Sequence, residues 1–530
     1  MQKKNFILGG VTLICALFLL TGCNEIMSNL SNPVSSYLQL TESTTKIYRG
    51  QQYQIQYTTI SDAKPVFKSA DEKIATVDPN TGIVIGANKG TTKITVELPA
   101  TENYNAATAE FTVEVDALLS LPAIEKEIAP GATYELGVTS QSDGTITYKS
   151  SNTKVATVDN TGKVTAVACG DATITVSVAA TPKFNRTEEA TFTAKVRVLT
   201  ETGLNTIINT AAAGDGKVKV KLADGFTLTN DLNLEGKKIE LDLMNSILTF
   251  TGNQSIIISE NFTLKNARID ASNSKVQLVK LTKDETALSS VKKNSEVYTL
   301  AGKKDYYYLE SINLDNVWVK NLQNDLITNQ NIQWAIDNVT IKNSIIQANY
   351  TGSSTCVIWL GSNNTNQGSI HNLDVDGNIF YNIISNTTGT QRFISIGNSS
   401  NAIKAWGTTA AGGDGTPATA GSYIFWKFNN NICINVGYNK FGNNVPSSGN
   451  NMFMEGKDNI FYDVKQIYQF FTANANKTTT GNVIWCPNIG LNGNDTSRTD
   501  SNGNPLAVEE DPGITVPTTA LDLVNGVKLK

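Results

Sequence analysis

The 530-residue sequence predicts an all-β protein, with two tandem β-sandwiches followed by a single-stranded parallel β-helix that carries an N-terminal capping helix. Three observations lead there. Residues 68–98, KSADEKIATVDPNTGIVIGANKGTTKITVEL, return as residues 149–178, KSSNTKVATVDNTGKVTAVACGDATITVSV, at an offset of 80 or 81. Downstream of residue 260, an asparagine recurs before short apolar-leaning strands. Charged residues make up only 17% of the chain, while Asn, Thr, Ser and Gly abound, a composition that suits β structure with many turns.

Residues 1–22 read as a lipoprotein signal peptide. Lys3 and Lys4 precede an apolar stretch at 6–20, too short for a comfortable membrane span, which stops at Leu-Thr-Gly-Cys. That ending resembles a bacterial lipobox, which implies cleavage before Cys23 and lipid attachment to its sulfur. Asn24 at the next position implies the outer membrane by the lipoprotein-sorting rule. Only Glu25 stands for the acidic run that sends lipoproteins outside the cell, so the cell surface is expected while a periplasmic position stays open. Residues 23–36 form a linker.

Residues 37–116 and 117–199 are the two sandwiches. Alternating strands such as TKITVEL and ATITVSV are separated by Asn-Thr-Gly turns. The shared phrase VATVDxxTGxV…GxATITV resembles the bacterial Ig-like group 2 domain, which implies a spacer or adhesion module. Asp78 and Asp159 read as turn residues rather than catalytic ones.

Residues 200–530 form the β-helix. Residues 203–234 read as an amphipathic helix, a Gly-Asp-Gly turn and strands, and resemble the opening of the pectin-lyase-like superfamily. The resemblance implies a right-handed helix of rungs whose apolar end must be covered. Asn266, Asn316, Asn343, Asn378, Asn431 and Asn459 mark the repeat as a stacked asparagine ladder. Their spacings of 50, 27, 35, 53 and 28 residues leave room for two rungs in each long gap.

The tetrapeptide NIFY occurs twice, at 378–381 and 459–462. With a side-chain period of two, Ile379 with Tyr381 and Ile460 with Tyr462 fall on one face, in line with Val317 and Val319, and that face reads as core. Trp318, Phe380 and Phe461, with Arg268, Ile345 and Cys433, then form an outward column, a platform for sugar rings. A register one residue off would make them core instead. All six tryptophans lie in this region. Trp406 sits in a Gly-, Ala- and Thr-rich loop and, with Tyr307, is a further candidate for carbohydrate binding.

The best catalytic constellation is His371, Asp374, Asp376 and Arg392. The pectate-lyase and polygalacturonase motifs are missing, so the resemblance carries the fold and no catalytic residue. Were the protein a lyase, Ca2+ held by carboxylates would be the expected cofactor; otherwise none is expected. Outside the signal and Cys23, four widely spaced cysteines without a C-x-x-C give neither a metal site nor a disulfide framework. A net charge of −5 excludes an electrostatic footprint for nucleic acid.

The whole resembles β-helix lipoproteins found beside polysaccharide-degrading enzymes in glycan-foraging bacteria. It implies an outer-membrane lipoprotein that binds polysaccharide, with other glycan-uptake proteins as partners. The alternatives are a polysaccharide lyase or hydrolase acting on an acidic glycan such as pectin, and an adhesin or structural stalk.

Overall fold

The computed structural model describes residues 33–512 apart from 185, 273–275, 285, 287–306, 331, 333, 349–355, 361–368, 382–391, 397–423, 436–441, 444–451, 464–475, 486–507 and 510–511. Two compact units result: the pair of sandwiches, and the β-helix from residue 196 onward together with 127–131 and 168–170.

In the first sandwich, Thr44–Tyr48, Ala107–Asp116, Gly90–Leu98 and Val66–Ser69 form one sheet, and Gln52–Gln54, Ile83–Gly86 and Ala75–Val77 a second. The second sandwich repeats this with Glu125–Ile128, Glu188–Val196, Gly170–Val178 and Ile146–Ser150, and with Thr133–Glu135, Lys163–Ala166 and Ala156–Val158. Alternation fills each core: Ile94, Val96 and Leu98 are buried between exposed or half-buried neighbours. The duplication reaches the aromatic packing. Tyr53 stacks on Phe111 at 5.5 Å, and Tyr134 stacks on Phe192 at 5.2 Å.

The Asp78 and Asp159 carboxylates accept backbone N–H groups of their own turns, from Asn80 and Thr81 and from Thr161 and Lys163. Each turn closes on a glycine at positive φ, Gly82 at 73° and Gly162 at 87°. A side chain there would also meet the ring of Phe67 or Tyr148.

Asp116 closes the first sandwich with ion pairs to Lys89 at 3.0 Å and Lys46 at 3.1 Å. Lys89 first, then Lys46, hold its carboxyl down to about 2. A depressed carboxyl stabilises the fold above its unfolded value near 3.9, and the contribution disappears as pH falls through the folded value. Asp116→Asn is therefore expected to be less stable than the parent at pH 6, with the difference gone at about pH 2. Paired urea denaturations across that range check it; a difference independent of pH would refute the assignment.

The β-helix opens with α1, Glu201–Ala212, whose N-cap Thr200 accepts from the Gly203 N–H at 3.1 Å. Its Leu204 and Ile208 bury into the core that runs through the rungs. Each rung contributes strands to three parallel columns. The first column runs from Lys217–Lys219 through Ile239–Asp242, Trp334–Lys342, Ser369–Asp376 and Ile424–Asn429 to Met452–Lys457 and Asn476–Thr480. The second includes Ile247–Phe250, Ile345–Ala348, Ile379–Tyr381, Ile432–Ile434, Ile460–Tyr462 and Val483–Trp485. Phe262–Asp270 and Tyr307–Leu322 run through both, which joins the two columns into one sheet. The third column is a separate sheet, from Leu232–Leu234 through Cys356–Leu360 and Arg392–Ile396 to Gly442–Asn443.

The two long sequence gaps each hold one rung, not two. Asp270 pairs directly with Lys320, and Ile379 with Ile432.

The asparagines divide into two adjacent ladders. Asn266, Asn316 and Asn343 adopt positive φ between 47° and 54° at the turn from first to second column. In the rungs beyond, that turn position is taken by Gly377, Asn430, Asp458 and Gly481, again at positive φ. Asn378, Asn431 and Asn459 stand one residue further along, in line with Ser344, and are buried. Asn378 Nδ2 donates to Asn431 Oδ1 at 2.9 Å, Asn431 Nδ2 to Asn459 Oδ1 at 3.1 Å, and Asn459 Nδ2 to Asn482 Oδ1 at 2.9 Å. The turn ladder is more exposed: Asn316 Nδ2 donates to Asn266 Oδ1 at 2.8 Å, and Asn343 Nδ2 to Asp315 Oδ1 at 3.0 Å.

That one-residue displacement reverses the expected faces of the C-terminal rungs. Phe380, Cys433, Phe461 and Ile484 align with Val319 and Ile346 and are fully buried in the core. Phe380 and Phe461 are thus interior side chains, not a sugar platform. Ile379, Tyr381, Ile460 and Tyr462, expected inside, lie on the opposite face and are half-buried.

Candidate functional site

The outward side of the second column carries an aromatic row. Backbone pairing aligns Gln347, Tyr381, Ile434, Tyr462 and Trp485 in successive rungs. The period of two puts these side chains opposite the buried Phe380, Cys433, Phe461 and Ile484. Tyr381, Tyr462 and Trp485 are half-buried, and Ile434 between the tyrosines is buried. Rungs in a parallel sheet repeat at about 4.8 Å, so the row is a graded aromatic strip along the stack. In the earlier rungs the outward aromatic is Trp318. The Arg268 guanidinium covers one face of its ring at 3.7 Å, and Arg268 Nη1 donates to the Asn316 carbonyl at 3.1 Å.

Across the turn ladder, the outward side of the first column carries two polar rows. One runs Lys217, Glu240, Thr263, Asn313, Thr340, Asp374, Lys427, Glu455. The other runs Lys219, Asp242, Lys265, Asp315, Lys342, Asp376, Asn429, Lys457, so charge alternates from rung to rung as far as Asp376. Lysines bridge the rows: Lys265 to Glu240 at 2.8 Å, Lys342 to Asp374 at 2.6 Å, and Lys457 to Glu455 at 2.6 Å. These bonds raise the ammonium pKa of Lys265 and Lys342, and Lys457 lowers the carboxyl of Glu455. A shallow groove of about 380 Å³ lies over Glu240, Lys265, Asn313, Asp315, Thr340 and Lys342.

The first column bends where two consecutive residues face out, at Glu310 and Ser311, Asp337 and Asn338, and His371 and Asn372. His371 Nδ1 lies 2.8 Å from Asp337 Oδ1. Tyr308 also bonds Asp337; burial first, then the charges of Asp337 and Glu310, push its phenol pKa up, so it remains a proton donor. Asp337 was not among the sequence candidates, and Tyr308 was one only as a neighbour of Tyr307 in a binding role. Nothing in a linear pattern joins residues 308, 337 and 371, which only rung pairing brings together.

The four expected catalytic residues do not assemble. Asp374 is bound to Lys342, and Asp376 accepts from Asn430 Nδ2 at 2.7 Å. His371 sits at the bend, and Arg392 belongs to the third column, in the other sheet. Tyr307 packs on the buried Trp334 at 5.6 Å, as part of the wall. Trp406 and Cys23 lie outside the described residues. Among the described residues, no helix is long and apolar enough to cross a membrane.

Residues 38–114 and 123–187 match the bacterial Ig-like domain (group 2), so these two segments are bacterial Ig-like domains. A search of curated proteins gives no match. Among solved structures, domains 4 and 5 of the S-layer protein SbsC are 17% identical, over 31% of this chain and 99% of theirs, at a TM-score of 0.16. Fibronectin(III)-like modules of Clostridium thermocellum CbhA are 16% identical, over 30% and 94%, at 0.13. A SusE-like surface located polysaccharide binding protein from the Bacteroides thetaiotaomicron heparin utilisation locus is 12% identical, over 36% and 40%, at 0.17.

Proposed function

We propose that this protein is an outer-membrane lipoprotein, anchored through Cys23, that holds polysaccharide against the outer face of its β-helix while the Ig-like pair acts as spacer. The observation that carries the reading is the row Tyr381, Tyr462, Trp485, three half-buried aromatics aligned on consecutive or near-consecutive rungs. Sugar rings stack their C–H faces on such side chains, and the neighbouring Thr, Asn and paired charges meet hydroxyl groups. Trp485→Ala and Tyr462→Ala are each expected to weaken retention on the cognate polysaccharide about tenfold, roughly 1.4 kcal/mol. Affinity measured beside a circular dichroism melt checks this. Unchanged retention by folded variants counts against the row.

A second reading, cleavage of the polymer, is favoured by the hydrogen-bonded chain Tyr308–Asp337–His371, in which a carboxylate orients an imidazole. Size exclusion of the incubated polymer separates the two: shortening that His371→Gln abolishes makes the protein an enzyme, and an intact polymer leaves it a binder.

A further inference from the structure

We infer that the glycan held by this face is an uncharged one; the inference rests on the binding function proposed above. A polymer of uronate or sulfated units needs cations at regular intervals whose donors are available to it. Among the described residues, most lysines facing out from the first two columns beyond the opening rung are already engaged. Lys265, Lys342 and Lys457 lie within 2.8 Å of carboxylates, and Lys320 lies 3.7 Å from Asp270. Arg268 has the planar fork best suited to a carboxylate. Its guanidinium is laid over Trp318 and bonded to a backbone carbonyl.

Among the described residues of the C-terminal rungs, Lys427 is exposed in the first column, and its ladder neighbours on either side are Asp374 and Glu455. A polyanion laid along these rungs would meet as many carboxylates as ammonium groups. It would gain attraction only by separating pairs that already exist. A polycation faces the same obstacle with the signs exchanged.

Two kinds of contact remain for a ligand. The aromatic row stacks on apolar ring faces without regard to charge. The neutral amides and hydroxyls of the first column hydrogen-bond to hydroxyl groups; there Asn313 bonds both Thr263 and Thr340. Both suit a neutral hexose or pentose polymer.

The test uses the full-length protein in detergent micelles and polymer-coated beads. The uncharged set is galactomannan, xyloglucan and mixed-linkage glucan, and the acidic set is alginate and polygalacturonate, the latter also in its carboxyl-reduced form. Retention on at least one uncharged polymer is expected, changing less than about twofold between about 20 mM and about 500 mM NaCl, because no ion pair with the ligand is there to be screened. The carboxyl-reduced polymer should be held more tightly than polygalacturonate itself. Retention confined to acidic polymers, falling about tenfold or more across that salt range, overturns the inference and leaves glycan binding standing. Equal retention on charged and uncharged sets also overturns it, since charge would then not matter. Retention on none overturns the glycan-binding function and this inference with it.

Discussion

Asn431→Ala is expected to destabilise the C-terminal rungs by about 3 kcal/mol, and Asn431→Asp by more. Asn431 is fully buried, and both ends of its amide are in use. Its Oδ1 accepts from the Asn378 backbone N–H at 3.0 Å and from Asn378 Nδ2 at 2.9 Å. Its Nδ2 donates to the Val375 carbonyl at 3.0 Å and to Asn459 Oδ1 at 3.1 Å. Alanine strands two donors and the Val375 carbonyl contact, while Asn459 Oδ1 keeps the residue 431 backbone N–H; each orphan costs about 1–3 kcal/mol, with partial relaxation keeping the total below the sum. Aspartate keeps the two acceptor contacts but turns a carboxylate oxygen on two other acceptors inside the stack. The neighbouring Asn430→Gly is the control. Asn430 sits at a φ of 54°, where glycine fits without strain, and its side chain is exposed, so a change of only about 0.5 kcal/mol is expected. Denaturant titration and hydrogen exchange on 432–434 and 460–462 measure both. Equal sensitivity at the two positions would contradict the division into two ladders.

Phe428→Ala is expected to cost about 4 kcal/mol, within the range for removing a buried aromatic. Phe428 stacks on Phe380 at 5.9 Å and meets Phe393 edge to face at 5.3 Å, while Phe380 and Phe393 meet at 4.8 Å. These three rings come from the three columns and fill the interior of adjoining rungs. The loss should stay local, because each rung touches chiefly its neighbours. Thermal unfolding is therefore expected to split, with the rungs around residues 379–434 melting first and those around Leu241, Leu264 and Leu314 holding on. Residue-resolved hydrogen exchange detects the split. One concerted transition, shifted as a whole, would show that the stack cooperates over a longer range.

The Ig-like pair was legible because a duplicated sequence exposes its own strands and turns: TKITVEL and ATITVSV alternate cleanly, and an Asn-Thr-Gly turn recurs after Asp78 and Asp159. The rung rhythm and capping helix were legible for a similar reason. The register was not. Asparagine satisfies two different demands at adjacent positions: a tolerated left-handed turn at Asn316, and an interior amide ladder at Asn378. Aligning DNVWV with GNIFY by their asparagines therefore slid the C-terminal rungs by one and turned Phe380 and Phe461 outward. The residue before the asparagine held the missing signal. Lys265, Asp315 and Lys342 are strand residues, whereas Gly377, Asn430, Asp458 and Gly481 carry positive φ and make the turn themselves. The bend network was illegible for a different reason, since Tyr308, Asp337 and His371 meet only after rungs of unequal length are laid on one another.

The turn ladder fixes the step from first to second column identically in rung after rung, which makes this edge of the stack a ruler with whole-number graduations. Removing residues 431–458 would join Asn430 to Asn459, leaving a left-handed turn residue followed by an interior amide, the order every C-terminal rung already has. Such a shortening takes away one graduation of about 4.8 Å and leaves the phase of both faces untouched. The length of this face is in that sense counted in rungs, and copying or dropping single turns lengthens or trims it.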